Sequence, residues 1–115
     1  TNDMYPTAFR LALILRLESY MEALRKLQGA FFAKGKEFDR VLKMGRTHLQ
    51  DAVPIRLGQE FGAYAFNAER HAKSLAAAAD GLRELGLGGS AAGTVLNVHA
   101  EYRPRVAKAL SEQTG

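Results

Sequence analysis

The chain has 115 residues, no cysteine and a net charge of +4, so it makes one domain at most and excludes disulfides and thiolate chemistry. Apolar residues make up 47% of it and charged residues 24%, as in ordinary globular proteins and unlike disordered ones. The longest apolar run, residues 11–15, is far too short to cross a bilayer. We therefore expect a globular chain without a membrane partner.

The basic residues do not form a nucleic-acid-binding patch. They alternate with acidic ones, as Arg16 with Glu18 and Lys36 with Glu37, and no basic run contains interleaved aromatic residues. The weak positive charge favours a small anion as ligand and argues against nucleic acid as a partner.

A long helix is predicted from Pro6 onward, because apolar residues recur every three or four positions. The stripe comprises Phe9, Leu13, Leu17, Tyr20, Leu24, Leu27 and Phe31, and it resumes at Phe38 and Leu42. Gly29 and Gly35 each weaken helix propensity by about 1 kcal/mol. We expect either one long helix or two helices with a break near Gly35.

A second helix is predicted from Leu57, with a heptad-like seam that consists largely of alanine. Its members are Phe61, Ala65, Ala68, Ala72, Leu75, Ala79 and Leu82. Small residues allow close approach of another helix. Since two helices cannot enclose a core, we expect further helices from other chain segments or subunits. A last helix is predicted over residues 100–113, after the Gly-rich connection 86–97.

The segment between the two long helices, residues 43–61, reads KMGRTHLQDAVPIRLGQEF and concentrates polar groups in six positions. They are Arg46, Thr47, His48, Gln50 and Asp51. Pro54 stops a helix from running through, and residues 41–47 and 53–56 are long enough for short strands. The segment is either a plain polar connection or a binding site built around an imidazole that can titrate near neutral pH.

The other candidate sites are weaker. Neither His71 nor His99 has a histidine or carboxylate at metal-ligand spacing, so we expect no metal site. His71 reads as a solvated helix residue, and His99 as a residue that helps to cap the last helix. The Gly-rich connection lacks the lysine and spacing of a phosphate-binding loop, and we interpret it as helix termination with tight chain passage.

Three collinear motifs carry a resemblance that covers essentially the whole chain. The segment at 43–61 resembles a signature of the aspartase/fumarase superfamily, closest to its aspartate ammonia-lyase and class II fumarase branches. TNDMYPTAF at residues 1–9 and GGSAAGTVLN at 88–97 resemble two further segments of that family, in the same order.

The resemblance implies a mainly α-helical fold, a long-helix bundle with an irregular or β-like break near residues 43–56. Residues 1–115 would be part of the central helical domain of a longer, cytoplasmic enzyme without cofactor. In this family four subunits assemble their long helices into one bundle, and each active site collects residues from three subunits. We therefore expect a homotetramer.

The resemblance also implies a reaction and residue roles. Family members cleave a C–N or C–O bond of a small dicarboxylate by β-elimination and release fumarate. Thr1 and Asn2 match residues that hold the substrate, and Thr47 and His48 match a pair that contacts it from a neighbouring subunit. His48 is the candidate catalytic residue, for substrate binding or proton transfer. Positioning roles are assigned to Arg46, Gln50 and Asp51.

Parts of the family pattern are missing. The catalytic serine of the family lies on a mobile loop that this chain does not contain, so we expect the 115-residue chain to lack lyase activity by itself. Met44, Ala52 and Val53 are more like aspartate ammonia-lyases, whereas His48 suits class II fumarases and only some aspartate ammonia-lyases. We expect aspartate as the substrate, with malate as the alternative. A helical assembly segment without chemistry is the alternative from another class.

Overall fold

The computed structural model describes residues 2–115, which form three α-helices and one β-hairpin. Helix α1 spans Met4–Glu37, strands β1 and β2 span Leu42–Thr47 and Gln50–Arg56, helix α2 spans Leu57–Ala79, a 3-10 turn spans Asp80–Arg83, and helix α3 spans Tyr102–Thr114. The mainly helical fold is confirmed, and the predicted break is an antiparallel β-hairpin with a shift in register between Met44 and Arg46. No helix within residues 2–115 has the length and apolarity needed to span a membrane.

The chain divides into two units, which we describe separately. The hairpin unit is Ser19–Ala76 and contains the β-hairpin. The terminal unit combines the described residues up to Glu18 with Ala77–Gly115. It contains the Gly-rich connection and α3.

Helix α1 is continuous, and the alternative of a break near Gly35 is wrong. Lys34 donates a hydrogen bond to Glu37 at 2.7 Å across the last turn, a pair that adds only a few tenths of a kcal/mol. Gly35 remains helical because its lack of a side chain has a use in packing. A Cβ at Gly35 would lie 3.4 Å from both the Gly58 carbonyl oxygen and the Gly62 amide nitrogen.

The closest backbone approach in the hairpin unit centres on Gly58, at the start of α2. A Cβ there would lie 2.3 Å from the carbonyl oxygen of Gly35 and 2.8 Å from the Cα of Asp39. Any side chain at this position would overlap backbone atoms, which cannot rotate away. Two hydrogen bonds seal the junction: the amide of Leu57 donates to Val41 at 2.8 Å, and that of Gly58 to Phe38 at 3.0 Å.

Four aromatic rings pack beside this junction. Phe61 lies 5.5 Å from Phe38, 6.2 Å from Phe31 and 6.0 Å from Tyr64, measured between ring centroids. Phe31 and Tyr64 are 5.6 Å apart. Tilted and edge-on pairs of this kind each add about 0.5–1.5 kcal/mol to the free energy of burial. The rings therefore hold the end of α1 against the start of α2.

The alanine seam of α2 is its least exposed face. Ala65 and Ala68 are 5% and 8% exposed, and they are the buried apolar residues among residues 2–115. No described side chain is fully buried, whereas many large apolar ones, such as Phe9 at 57% and Phe66 at 65%, stay exposed. The segment thus leaves most of its apolar surface uncovered.

The terminal unit is held by hydrogen bonds to backbone carbonyls. The Arg10 guanidinium donates to the carbonyl oxygens of Gly81, at 3.0 Å, and of Glu84. The imidazole Nδ1 of His99 accepts from the amide of Glu101 at 3.2 Å; Glu101 is the N-cap residue of α3, which has no side-chain cap hydrogen bond.

Substitution Gly58→Ala tests the glycine contact. Because the added methyl group meets backbone atoms, we expect the free energy of unfolding to fall by about 2 kcal/mol or more. Gly29→Ala is the matched control, since Gly29 is exposed in α1 with no heavy atom within 4 Å, and it should gain up to about 1 kcal/mol. Urea denaturation followed by circular dichroism measures both, and equal stability of the two variants would contradict the packing described.

Candidate functional site

The β-hairpin carries five of the predicted site residues. Strand β1 pairs with β2 in a register that places Thr47 opposite Gln50 and Arg46 opposite Asp51. A two-residue turn, His48-Leu49, joins the strands. The predicted β-like break is therefore confirmed as a two-stranded hairpin. Pro54 fits because a two-stranded sheet leaves an edge on each strand, where a missing N–H has no consequence.

The turn has an unfavourable backbone conformation. The φ angles of His48 and Leu49 are 51° and 63°, the left-handed pair that a type I′ turn requires and that Asn-Gly adopts most easily. Each of these side chains costs about 1 kcal/mol in this region. Strain of this size persists where the surrounding structure over-determines it, and such positions cluster at functional sites.

The base of the hairpin is tied to its neighbours by ion pairs. Lys43 Nζ lies 2.7 Å from Glu60 Oε1, and both side chains are about one-third exposed. Both carboxylate oxygens of Asp39 lie 3.0 Å from Arg56 Nη1, and the amide of Arg56 donates to Gln59 at 2.9 Å. These contacts position the hairpin relative to α2.

Arg46 and Asp51 form an ion pair across the strands, with Nε donating to Oδ1 at 3.0 Å. Both side chains are about two-thirds exposed, so the pair contributes little stability. It does pair the two charges next to the turn with each other.

Thr47 and His48 are both exposed at the tip. A hydroxyl and an imidazole can each donate a hydrogen bond to a carboxylate, and a protonated imidazole also supplies positive charge. Side chains held on a fixed hairpin and open to solvent can reach a ligand or another chain. The hairpin tip therefore presents a hydroxyl and an imidazole side by side to solvent.

The remaining predicted residues lie elsewhere. Asn2 is exposed and belongs to the terminal unit, and Thr1 lies outside the described residues. His71 is exposed on α2, in agreement with a solvated helix residue. No group of three or more potential metal ligands occurs within residues 2–115.

The Gly-rich connection 86–97 binds a carboxylate of the protein itself. The amides of Gly88 and Ser90 donate to Asp3 Oδ2 at 3.0 Å and 3.4 Å. Two N–H groups that could face a phosphate are thus directed at a side chain. The interpretation as tight chain passage gains a specific cause, since Gly88 has a φ of 85° and a Cβ there would meet Arg103.

Sequence reasoning missed three features of this region. Leu49 at the tip is 98% exposed, but His-Leu is not a turn signal, so the left-handed turn could not be predicted. The Lys43–Glu60 pair joins residues 17 positions apart. At that separation the sequence gives no indication that two opposite charges form an ion pair. The link from Asp3 to the Gly-rich connection spans 85 positions and is equally invisible to local rules.

Comparison with known proteins extends over the full chain. A family described as lyase matches residues 1–115. An aspartate ammonia-lyase from Helicobacter pylori is 47% identical over all 115 residues, which span 25% of that protein.

Two solved structures share the fold. The cobalt-bound structure of a fumarate lyase:delta crystallin from Brucella melitensis has a TM-score of 0.87 and 48% identity, over 99% of this chain and 25% of its own. A class II fumarase from Schistosoma mansoni has a TM-score of 0.75 and 31% identity, over 97% of this chain and 24% of its own.

The chain spans about a quarter of the length of the curated relatives that it matches. The similarity covers the helices, the hairpin and all three motifs. The chain belongs to the aspartase/fumarase superfamily of lyases.

Proposed function

We propose that the full-length protein is an ammonia-lyase that converts L-aspartate to fumarate and ammonia, and that this chain is part of its central helical domain. The higher identity to an aspartate ammonia-lyase than to the class II fumarase supports the choice of substrate. Family membership supports the elimination chemistry.

The observation that carries the proposal is the strained and anchored hairpin tip. Thr47 and His48 are adjacent, exposed and held by a turn of fixed geometry. A polar connection without function has no need of two left-handed side chains. A substrate dicarboxylate needs donors at fixed positions, and this tip supplies a hydroxyl and an imidazole.

The reaction requires stabilisation of a carboxylate that gains negative charge. A base removes a proton from the carbon beside one carboxylate, and its electron pair enters that carboxylate to give an aci-carboxylate. The C–N bond then breaks with its electrons passing to nitrogen, and ammonia and fumarate result. Donors placed in advance where the charge develops stabilise this intermediate.

Within this scheme each predicted residue has a role. Thr47 donates to a substrate carboxylate, and His48 binds substrate or moves a proton near the leaving group. Thr1 and Asn2 hold the substrate at the other motif. The paired Arg46 and Asp51, together with Gln50 opposite Thr47, position the tip. The base lies on a segment outside this chain, so the 115-residue chain has no activity alone.

We further propose a cytoplasmic homotetramer without cofactor. The exposed apolar residues on α1 and α2, among them Leu13 and Leu27 at 41% and 47%, need partner helices to remove them from water. Association of the long helices of several subunits supplies such partners. The same association brings hairpin tips toward residues of neighbouring chains.

A class II fumarase, acting on malate and fumarate, is the second candidate. It is favoured by the common fold over nearly the whole chain and by His48, which suits hydration chemistry. Both reactions share the intermediate and differ in the leaving group, which is ammonia in one and water in the other.

Assay of the full-length protein separates these candidates. We expect kcat/KM for aspartate to exceed that for malate by about 100-fold or more, because a site built for an ammonium group leaves its polar groups unpaired around a hydroxyl. Fumarate formation from each substrate, followed by ultraviolet absorbance, measures the ratio. A preference for malate would replace the proposal with the second candidate.

Substitution His48→Asn tests the catalytic assignment. It removes proton transfer but keeps a hydrogen-bonding side chain that tolerates the left-handed turn, so we expect kcat/KM for aspartate to fall by roughly 100-fold or more without loss of folding. His71→Asn is the matched control, since His71 is exposed on α2, and should leave activity unchanged. Wild-type activity of the His48 variant would remove this residue from the mechanism and favour the assembly role.

A further inference from the structure

Asp3 is held at both its side chain and its backbone. Its Oδ2 atom accepts hydrogen bonds from the amides of Gly88 and Ser90 at 3.0 Å and 3.4 Å. Its carbonyl oxygen accepts from Thr7 Oγ1 at 2.7 Å, and Thr7 is 6% exposed, the one buried polar residue among residues 2–115. All four residues belong to the terminal unit, so these contacts lie within one unit.

The connection that binds Asp3 does not adopt its shape without support. Ser90 and Val95 have φ angles of 63° and 55°, besides the glycines Gly88 and Gly93 at 85° and 79°. A left-handed backbone costs about 1 kcal/mol at each of Ser90 and Val95, because these residues have a Cβ. Ser90 Oγ lies 2.7 Å from Asn97 Oδ1, which closes the connection on itself, and the Asp3 carboxylate holds its near end.

The charge on Asp3 makes this contact stronger than an ordinary turn. A carboxylate that accepts two backbone N–H groups forms charge-assisted hydrogen bonds, which are about twice as strong as neutral ones. Asp3 is partly buried and so is Ser90, while Gly88 is buried, and water competes less for the contact as a result. The start of α1 and the Gly-rich connection are thereby joined at one residue.

This residue directly follows Asn2. Consecutive Cα atoms are about 3.8 Å apart across a trans peptide, so fixing Asp3 restricts where Asn2 can be. Asn2 is exposed, and a ligand-binding side chain needs such support to keep its position.

We propose that Asp3 is a positioning residue, whose carboxylate fixes the Gly-rich connection to the start of α1 and so holds Asn2 for the substrate. The inference rests on the proposed role of Asn2 in substrate binding. On this proposal the Gly-rich connection supports the substrate site through Asp3, without contributing a substrate-binding group of its own.

The test is a double-mutant cycle in the full-length protein. Asp3→Asn keeps the size of the side chain and removes its charge, and we expect kcat/KM for aspartate to fall by roughly 10-fold. Asp80→Asn is the matched control, because Asp80 is exposed in the same unit, and it should change kcat/KM by less than about twofold.

The second arm of the cycle uses Asn2→Ala. If Asp3 acts through Asn2, adding Asp3→Asn to Asn2→Ala lowers kcat/KM by less than about twofold further, since the group to be positioned is already gone. A merely structural role of Asp3 would instead lower kcat/KM equally in both backgrounds, and that additivity would overturn the inference.

The two possible failures are distinguishable. If Asn2→Ala alone leaves kcat/KM unchanged, the proposed function of Asn2 fails and the inference fails with it. If Asn2→Ala lowers kcat/KM while Asp3→Asn does not, only the inference fails. Should Asp3→Asn not fold, Thr7→Val enters the same cycle, because it removes the hydrogen bond to the Asp3 carbonyl and keeps the buried volume. It is expected to show the same non-additivity, and additivity there overturns the inference equally.

Discussion

The contact of Gly58 with the backbone of Gly35 and Asp39 determines where the hairpin projects. At Gly58, the start of α2 packs against the end of α1 and the link that follows it. No space is left for a side chain at Gly58. The amides of Leu57 and Gly58 donate to the carbonyl oxygens of Val41 and Phe38, which lie in the short link between α1 and the hairpin. Since the aromatic rings pack on the same junction, the base of the hairpin is anchored by packing while its tip is exposed.

The side chains at the hairpin tip are not buried by contacts within this segment. Thr47, His48 and Leu49 are all exposed, and the turn is strained by about 1 kcal/mol at each of two residues. Contacts within the described residues do not offset the free-energy cost of this turn. With only Ala65 and Ala68 as buried apolar residues in the described part of the chain, both the helix faces and the tip are suited to contacts with other chains.

Much of the fold could be predicted from the sequence. The three-and-four spacing of apolar residues predicted α1 and α2, and the start of α2 at Leu57 is confirmed. The continuity of α1 through Gly35 could not be predicted, because it depends on contact with a glycine 23 positions later. Helix propensities include the local free-energy cost of a glycine. They do not include the close approach between two backbones that a glycine permits.

The candidate site divides in the same way. Arg46, Thr47, His48, Gln50 and Asp51 were singled out by composition and by family resemblance, and the structure adds that Arg46 pairs with Asp51. The left-handed turn and the contact of Asp3 with Gly88 were not predictable. The first breaks the rule that turns of this type contain Asn or Gly, and the second joins residues 85 positions apart.

We propose that the hairpin tip completes an active site with residues of another chain, and subunit complementation tests this proposal most directly. Full-length His48→Asn and Asn2→Ala variants, each inactive or nearly so, are mixed in equal amounts, dissociated and reassembled, and fumarate formation from aspartate is measured. If the two residues of one site come from different subunits, random assembly restores roughly a quarter of the wild-type activity. Activity no higher than that of the separate variants would contradict the account.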